Sequence, residues 1–193
     1  MKKREGDGNQ DNELSCDKIK KGGGPVRLFV AIELSDEMKT SITKTMHELK
    51  QKGVKGNYIP MKNLHLTLAF IGERDDVGEV KDALRSISFK PFRLSLSDMG
   101  NFGNLLWVGM KGNQGLSGVA KAVREALDGA GIDYDRKKFK PHITIVRKAC
   151  GNWKNTPPPE GEMMVKRIVL MKTTFKDGKP VYSVIQEIGG NKL

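Results

Sequence analysis

The chain has 193 residues, which is enough for one large hydrophobic core or for two small lobes that share one. No apolar run approaches the roughly 18–20 residues of a membrane helix, and no apolar segment follows the basic N-terminus as in a secretory signal. Two cysteines and three histidines argue against a disulfide framework and against a Cys/His zinc module. We therefore expect a cytoplasmic protein with no membrane partner, no bound metal and no cofactor.

The net charge of +11 indicates a polyanionic partner, and a nucleic acid is the first candidate. The N-terminal segment does not cause this charge, because residues 1–24 carry six basic and five acidic side chains and contribute only +1. The remaining +10 belongs to residues 25–193. Charge alone leaves a second interpretation open, in which a small basic protein has no specific anionic ligand.

Residues 1–24 are predicted to form a disordered tail. The segment has few apolar side chains and ends in three consecutive glycines, so it buries too little surface to offset the entropy lost on ordering. We expect order to begin near Pro25 and one folded domain to cover residues 25–193.

Hydrophobic periodicity predicts alternating strands and helices in the first half of the folded part. Ser35 is a suitable N-cap, and the apolar residues that follow it recur at spacings of three and four. The predicted elements are, in chain order, strand 26–34, helix 36–51, strand 64–71, helix 77–87, strand 92–97 and strand 105–110.

The second half repeats this order of elements. Three consecutive prolines at 157–159 predict a loop, and Asp177-Gly178-Lys179 predicts a turn between two strands. The predicted elements are helix 116–127, strand 142–146, a loop over 148–162, and two antiparallel strands over 163–174 and 180–188.

These elements predict an α+β fold. Strand–helix–strand order occurs twice, and each half contains one strand with the sequence His-x-Thr. We expect two pseudo-symmetric lobes, each an antiparallel sheet with helices on its outer face, and an active-site cleft between them.

Two of the three histidines occur in the same pattern, His-x-Thr-x, 77 residues apart: His65 with Thr67, and His142 with Thr144. Residues i and i+2 of a strand point to the same face, so each motif presents its histidine and threonine together and turns the intervening aliphatic residues to the other face. One such pair is usually structural. Two matched copies on paired apolar strands indicate a shared site.

Two imidazoles and two hydroxyls in one cleft suit phosphodiester chemistry without a metal. One imidazole accepts a proton while the other donates one, and a pKa of about 6.5 lets both forms coexist near neutral pH. The hydroxyls donate hydrogen bonds to non-bridging phosphate oxygens. The third histidine, His47, lies on the predicted helix 36–51 and is interpreted as a surface residue.

The paired motif resembles the signature of the 2H phosphoesterases. Five segments are similar to the RNA 2′,3′-cyclic phosphodiesterase family, historically called 2′-5′ RNA ligases: 27–33, 63–73, 140–147, 172–174 and 180–182. The resemblance implies metal-independent hydrolysis of an RNA 2′,3′-cyclic phosphate to a 2′-phosphomonoester, with 2′-5′ ligation as the reverse reaction. It implies no cofactor, a monomeric enzyme, and RNA ends with a 2′,3′-cyclic phosphate, such as those of tRNA fragments, as the partner.

The same resemblance implies a role for each motif residue. His65 corresponds to the proton donor to the departing 3′ oxygen, and His142 to the proton acceptor that activates water. Thr67 and Thr144 correspond to the residues that hold the phosphate. The two motifs look alike locally, so this division of roles rests on the resemblance alone.

Two further residues are predicted to bind substrate. Arg147 follows the second motif at the family's usual place, but strict alternation puts it on the face opposite His142, and a bulge is needed to aim it at the phosphate. Tyr58 lies where family members often carry a tryptophan, and it either stacks on a base or packs against the strand edge.

Two other functions stay open from the sequence. One is a 2H phosphodiesterase that acts on a small cyclic nucleotide or on a 2′-5′ oligonucleotide. The other is an RNA-binding module with vestigial catalysis. Both motifs keep their histidine and threonine, which argues against the binding module because binding needs no matched imidazoles.

Overall fold

A computed structural model describes residues 25–189, and the tail predicted over 1–24 lies outside the described residues. Within this range the chain forms nine strands and three α-helices. The strands are β1 (Val26–Glu33), β2 (Lys55–Tyr58), β3 (His65–Arg74), β4 (Phe92–Phe102), β5 (Leu105–Met110), β6 (His142–Cys150), β7 (Glu162–Val165), β8 (Arg167–Lys176) and β9 (Lys179–Gly189). The helices are α1 (Asp36–Gln51), α2 (Val77–Arg85) and α3 (Gln114–Gly129).

The strands form two antiparallel sheets, which confirms the predicted α+β fold with two lobes. One sheet has the strand order β3-β1-β8-β9, and the other has the order β2-β6-β5-β4-β7. Strands β3 and β6 carry the two His-x-Thr motifs, lie in different sheets and contact each other. Each sheet combines strands from both halves of the chain, so neither lobe is a contiguous segment.

One hydrophobic cluster extends through both sheets and all three helices. On α1, the Ser35 hydroxyl accepts a hydrogen bond from the Met38 amide at 3.3 Å, and Met38 and Ile42 are fully buried. Burial of each such side chain stabilises the fold by about 1.5–3 kcal/mol. Leu66 and Ile143 belong to the same cluster. The helices therefore pack on the sheet faces opposite to the motif histidines.

Strand β1 is buried on both faces, as its continuous apolar run predicts. Leu28, Val30 and Ile32 belong to the main cluster, while Phe29 and Ala31 belong to a smaller cluster on the other face of the sheet. This second face carries the motif of β3, so β1 forms part of the floor beneath the site.

The single strand predicted over 163–174 is wrong, because the chain changes sheet at Lys166. Strand β7 pairs with β4 in the five-stranded sheet, whereas β8 begins at Arg167 and pairs with β1 and β9 in the other sheet. Val165 and Ile168 are both fully buried. Lys166 and Arg167 between them are exposed, so two consecutive charged residues interrupt the apolar pattern at the break but do not indicate a change of sheet. The predicted loop 148–162 is also too long, because β6 continues to Cys150.

Strand β2 is not among the predicted elements, because its sequence Lys-Gly-Asn-Tyr has no apolar alternation. It forms by backbone pairing with β6. At Gly56, φ is 149°, and an added Cβ would lie 2.6 Å from Val146 Cγ1 and 2.9 Å from the Arg147 carbonyl oxygen. Glycine is required for so close an approach. Strand β2 thus covers the edge of β6 beside Arg147.

Candidate active site

The two His-x-Thr motifs meet in one cavity of about 370 Å³. His65 and Thr67 line it from β3, and His142 and Thr144 line it from β6. The aliphatic residues between them are buried in the main core, as alternation along each strand predicts. The four side chains that the sequence singles out thus lie around a single space between the two sheets.

Backbone carbonyls hold both imidazoles in the same tautomer. His65 Nδ1 lies 2.7 Å from the carbonyl oxygen of Asn63, and His142 Nδ1 lies 2.6 Å from that of Lys140. A carbonyl oxygen only accepts hydrogen bonds, so Nδ1 carries the proton in each ring and donates it. In both histidines Nε2 is left free for proton transfer. Each acceptor lies two residues before its histidine, so the arrangement repeats in the two lobes.

Aromatic rings fix the position of each histidine. The His65 ring centroid lies 4.9 Å from that of Phe29 and 5.2 Å from that of Tyr182, which meets it edge-on. His142 packs edge-on against Phe102 at 5.2 Å. The sequence does not predict these contacts with the histidines, because an isolated phenylalanine or tyrosine in a strand is indistinguishable from an ordinary core residue.

Asn63 connects His65 to the β8–β9 hairpin. Its side chain is buried, and its Nδ2 donates a hydrogen bond to the Pro180 carbonyl oxygen at 3.1 Å. Its own carbonyl accepts from His65. The orientation of His65 therefore depends on the packing of β9 as well as on β3.

Burial lowers the pKa of His65 below its ordinary value of 6.5. The hydrogen bond to the Asn63 carbonyl acts in the opposite direction, whereas the positive charges of Arg147 and His142 lower this pKa further. The neutral form of His65 is therefore favoured at neutral pH in the free protein.

We expect an NMR titration to place the pKa of His65 below 6.5 in the free protein. Arg147→Ala should raise this pKa, because it removes a positive charge that opposes protonation. Lys44→Ala, which removes an exposed charge on α1, is the matched control and should leave it unchanged. A His65 pKa at or above 6.5, or one that does not respond to Arg147→Ala, would contradict this electrostatic account.

A β-bulge brings Arg147 to the cavity. Leu106 pairs with Val146 and Trp107 pairs with Thr144, so β6 has one extra residue, Ile145, at this point. Ile145 and Val146 are both fully buried, and alternation resumes with Arg147 on the side of the motif. Arg147 lines the same cavity as both histidines. The bulge that the sequence argument requires is present.

Tyr58 is not brought to the cavity. Its hydroxyl donates a hydrogen bond to the Val54 carbonyl oxygen at 2.8 Å, and the Lys50 ammonium lies 4.6 Å from the centre of its ring. Burial raises the pKa of this hydroxyl. The neighbouring Ile59 lines the cavity instead. Of the two alternatives for Tyr58, these contacts favour packing at the strand edge, and stacking on a base stays a prediction.

His47 lies on the exposed side of α1, as predicted. Its Nε2 is 3.1 Å from Nε2 of Gln51, one helical turn away. It lines neither wall of the motif cavity. It therefore serves as a control histidine in the experiments below.

The mouth of the cavity is formed by side chains that the sequence did not single out. Arg27 and Glu73 form an ion pair at 3.0 Å, and the Arg27 guanidinium lies 5.8 Å from the centre of the Phe175 ring. Phe175 is 60% exposed and Phe70 is 43% exposed, although both line the cavity. Large exposed aromatic rings at a cavity rim are typical of ligand-binding surfaces.

Residues 25–189 show neither a metal-binding cluster nor a membrane-spanning helix. In this part of the chain no group of three or more His, Cys, Asp or Glu side chains is arranged to hold a metal ion. None of the helices described there combines the length and hydrophobicity needed to cross a bilayer.

Two relatives that carry the same name are similar to this chain over most of its length. The RNA 2′,3′-cyclic phosphodiesterase of Methanocaldococcus jannaschii is 32% identical over 177 residues, covering 84% of this chain and 99% of the relative. The protein of the same name from Escherichia coli K12 is 30% identical over 174 residues, covering 84% of this chain and 95% of the relative.

Solved structures and a family model agree with these relatives. E. coli LigT in its apo form superposes with a TM-score of 0.74 at 29% identity, covering 88% of this chain and 100% of LigT. LigT complexed with 3′-AMP gives a TM-score of 0.72 at 30% identity, with the same coverage. The family model described as the 2′-5′ RNA ligase superfamily matches residues 35–175. The chain therefore belongs to the 2′-5′ RNA ligase superfamily.

Proposed function

We propose that this protein hydrolyses the 2′,3′-cyclic phosphate at an RNA end to a 2′-phosphomonoester, by acid–base catalysis with His65 and His142. One observation carries the proposal: two histidines with free Nε2 atoms, from matched strands of two lobes, line one cavity together with Thr67, Thr144 and Arg147. The name shared by the relatives, RNA 2′,3′-cyclic phosphodiesterase, supports this choice of substrate.

The reaction requires one proton to be taken and one to be given. Nε2 of His142 accepts a proton from water as the water oxygen attacks phosphorus. The bond between phosphorus and the 3′ oxygen breaks, and Nε2–H of His65 donates a proton to that oxygen. The product carries a 2′-phosphate and a 3′-hydroxyl. The assignment of donor and acceptor comes from the resemblance to the family.

The remaining side chains act on the phosphate itself. Thr67 and Thr144 each stand two residues from a histidine on the same strand face, where their hydroxyls are suited to donate hydrogen bonds to non-bridging oxygens. Arg147 supplies a fixed positive charge beside them. Charge that builds up on the phosphate oxygens in the transition state is stabilised by such pre-positioned donors.

The low pKa of His65 fits a donor that is charged only when substrate binds. A phosphate anion in the cavity favours the protonated imidazole and counters the effects of burial and of Arg147. The pKa therefore rises on binding, and the complex takes up a proton. The affinity for a phosphate-bearing ligand should accordingly increase as the pH falls between the pKa of the free protein and that of the complex.

Ligation, which is the reverse of cleavage of a 2′-5′ linkage, needs no nucleotide cofactor. A 5′-hydroxyl takes the place of water: His142 accepts its proton as its oxygen attacks phosphorus, and the bond between phosphorus and the 3′ oxygen breaks as His65 donates a proton to that oxygen. RNA fragments with a 2′,3′-cyclic phosphate, such as those of tRNA, are the substrates we propose. Hydrolysis of a cyclic mononucleotide at the same kcat/KM as an oligonucleotide would favour the alternative small-molecule substrate.

The proposal predicts that activity persists after metal removal, because only imidazole, hydroxyl and guanidinium groups take part. Protein treated with EDTA should open a 2′,3′-cyclic-phosphate oligonucleotide at the rate of untreated protein, as measured by chromatography of the product. Added Mg²⁺ or Zn²⁺ serves as the control. Loss of turnover in EDTA that a divalent ion restores would contradict this mechanism.

A further inference from the structure

A second cavity, of about 800 Å³, opens from the catalytic one. Thr67, Phe70, His142, Thr144 and Arg147 line both, so the two spaces are continuous. The volume lies within the roughly 300–1,000 Å³ of ordinary ligand sites. The proposed reaction at the phosphate uses only the first cavity, which leaves the second without an assigned role.

The second cavity has an excess of positive charge. It is lined by five cationic side chains and by one carboxylate, that of Asp135. Asp135 pairs with Lys137 at 3.2 Å, while no carboxylate among residues 25–189 pairs with Lys138, Lys140 or Arg147. Uncompensated lysines in a concave surface favour binding of a polyanion.

Aromatic rings alternate with these charges. Phe102 is 40% exposed at the end of β4, and the Lys140 ammonium lies 5.5 Å from the centre of its ring. Phe70 is 43% exposed at the boundary of the two cavities, and Phe139 lines the wall beside Lys138. Exposed aromatic faces between cationic side chains are the pattern that binds single-stranded nucleic acid, by stacking on bases and neutralising phosphates.

We propose that this second cavity, lined by Phe102, Phe139, Lys138 and Lys140, binds the RNA strand on the 5′ side of the nucleotide that carries the cyclic phosphate. This proposal rests on the proposed function. A 2′,3′-cyclic phosphate is by definition at the 3′ end, so the rest of the chain extends only in the 5′ direction from the catalytic cavity. The opposite rim, which is the mouth of the catalytic cavity at Arg27 and Phe175, is less suited to a phosphate backbone because Arg27 is already paired with Glu73.

The test compares a short and a long substrate: 2′,3′-cyclic AMP and an oligonucleotide of about six nucleotides, a length within the range bound by one single-strand site. Lys138→Glu should raise KM for the oligonucleotide on the order of 10-fold and leave kcat/KM for 2′,3′-cyclic AMP unchanged. The negative slope of log kcat/KM against log salt should become less steep by about 0.7 for each phosphate contact that is lost. Lys44→Glu, an equal charge change on α1, is the matched control and should affect neither substrate.

A second variant tests the stacking surface. Phe102→Leu keeps an apolar side chain against His142 but removes the aromatic face. It should lower kcat/KM for the oligonucleotide several-fold more than kcat/KM for 2′,3′-cyclic AMP. Thermal unfolding of both variants should match that of the wild type.

Three outcomes overturn the inference in different ways. If Lys138→Glu behaves like Lys44→Glu on an oligonucleotide that the wild type hydrolyses, the second cavity does not bind the strand although the proposed function stands. If Phe175→Ala impairs the oligonucleotide selectively and Lys138→Glu does not, the strand leaves by the opposite rim. If the wild type opens neither substrate, the proposed function fails, and the inference fails with it.

Discussion

His142→Ala is expected to lower kcat/KM for a 2′,3′-cyclic-phosphate oligonucleotide on the order of 10²–10⁴-fold, because it removes a proton-transfer group from the transition state. His65→Ala should cause a loss of similar size. The double variant should be little worse than either single variant, since the two imidazoles act as a unit. The dependence of kcat/KM on pH in the wild type should be bell-shaped, with one limb for each imidazole.

Three matched variants separate catalysis from folding in this experiment. Thr67→Val and Thr144→Val each remove one hydrogen-bond donor to the phosphate but leave proton transfer in place, so they should be milder. His47→Ala should behave as the wild type, because that histidine lies on the exposed side of α1. A folded His142→Ala protein, with a wild-type thermal transition and most of the wild-type rate, would make the matched motif a structural coincidence.

Arg147→Ala is expected to lower kcat on the order of 10²–10³-fold, the loss seen when a fixed donor to a developing oxyanion is removed. The reason is its position, since the bulge at Ile145 puts the guanidinium in the cavity that both histidines line. Single-turnover kinetics with the cyclic-phosphate oligonucleotide measure this loss directly.

Two comparisons sharpen the interpretation of Arg147. Arg147→Lys keeps the charge but loses the planar pair of donors, so its rate should fall between those of the wild type and Arg147→Ala. Lys44→Ala controls for the change in overall charge. If Arg147→Ala raises KM and leaves kcat unchanged, Arg147 contributes to ground-state binding and does not stabilise the transition state.

The motif residues could be predicted from the sequence because strand alternation is a local property. In any strand, a histidine at i and a threonine at i+2 lie on the same face, and the aliphatic residues beside them lie on the other. This holds independently of the rest of the fold. The two buried faces at Leu66 and Ile143 follow from the same pattern. The other predicted strands begin within one residue of their predicted starts, but β4 continues to Phe102 and β6 to Cys150, beyond the predicted ends at 97 and 146.

Features that depend on pairing between distant segments could not be predicted in this way. The bulge at Ile145 is visible only in the register of β6 against β5. Strand β2 forms only because its backbone pairs with the edge of β6. The change of sheet at Lys166 coincides with two consecutive charged residues, Lys166 and Arg167, but which sheet each side joins depends on pairing with distant strands. The short distance of Tyr58 from the first motif predicts base stacking, whereas the direction of its side chain depends on β2, which the hydrophobic pattern does not predict.

The surroundings of the histidines are likewise set by tertiary contacts. The carbonyls of Asn63 and Lys140 are backbone groups, and no residue type marks them as acceptors. Phe102 reaches His142 from a hairpin some 40 residues earlier in the chain, with a ring-to-ring distance of 5.2 Å. Side-chain chemistry therefore predicts the proton-transfer groups, while the fold determines their tautomer and their neighbours and lowers the pKa of His65.

The most direct test of the proposed mechanism is the position of the phosphate in the product. A 2′,3′-cyclic-phosphate oligonucleotide is incubated with the EDTA-treated protein in ¹⁸O-labelled water, and the product is analysed by ³¹P NMR and mass spectrometry. Attack by water with departure of the 3′ oxygen predicts a 2′-phosphomonoester that contains one ¹⁸O atom, formed by the His65→Ala/His142→Ala variant at no more than the residual rate expected above. A 3′-phosphomonoester, or formation of the same product by the double variant at a rate near that of the wild type, would contradict it.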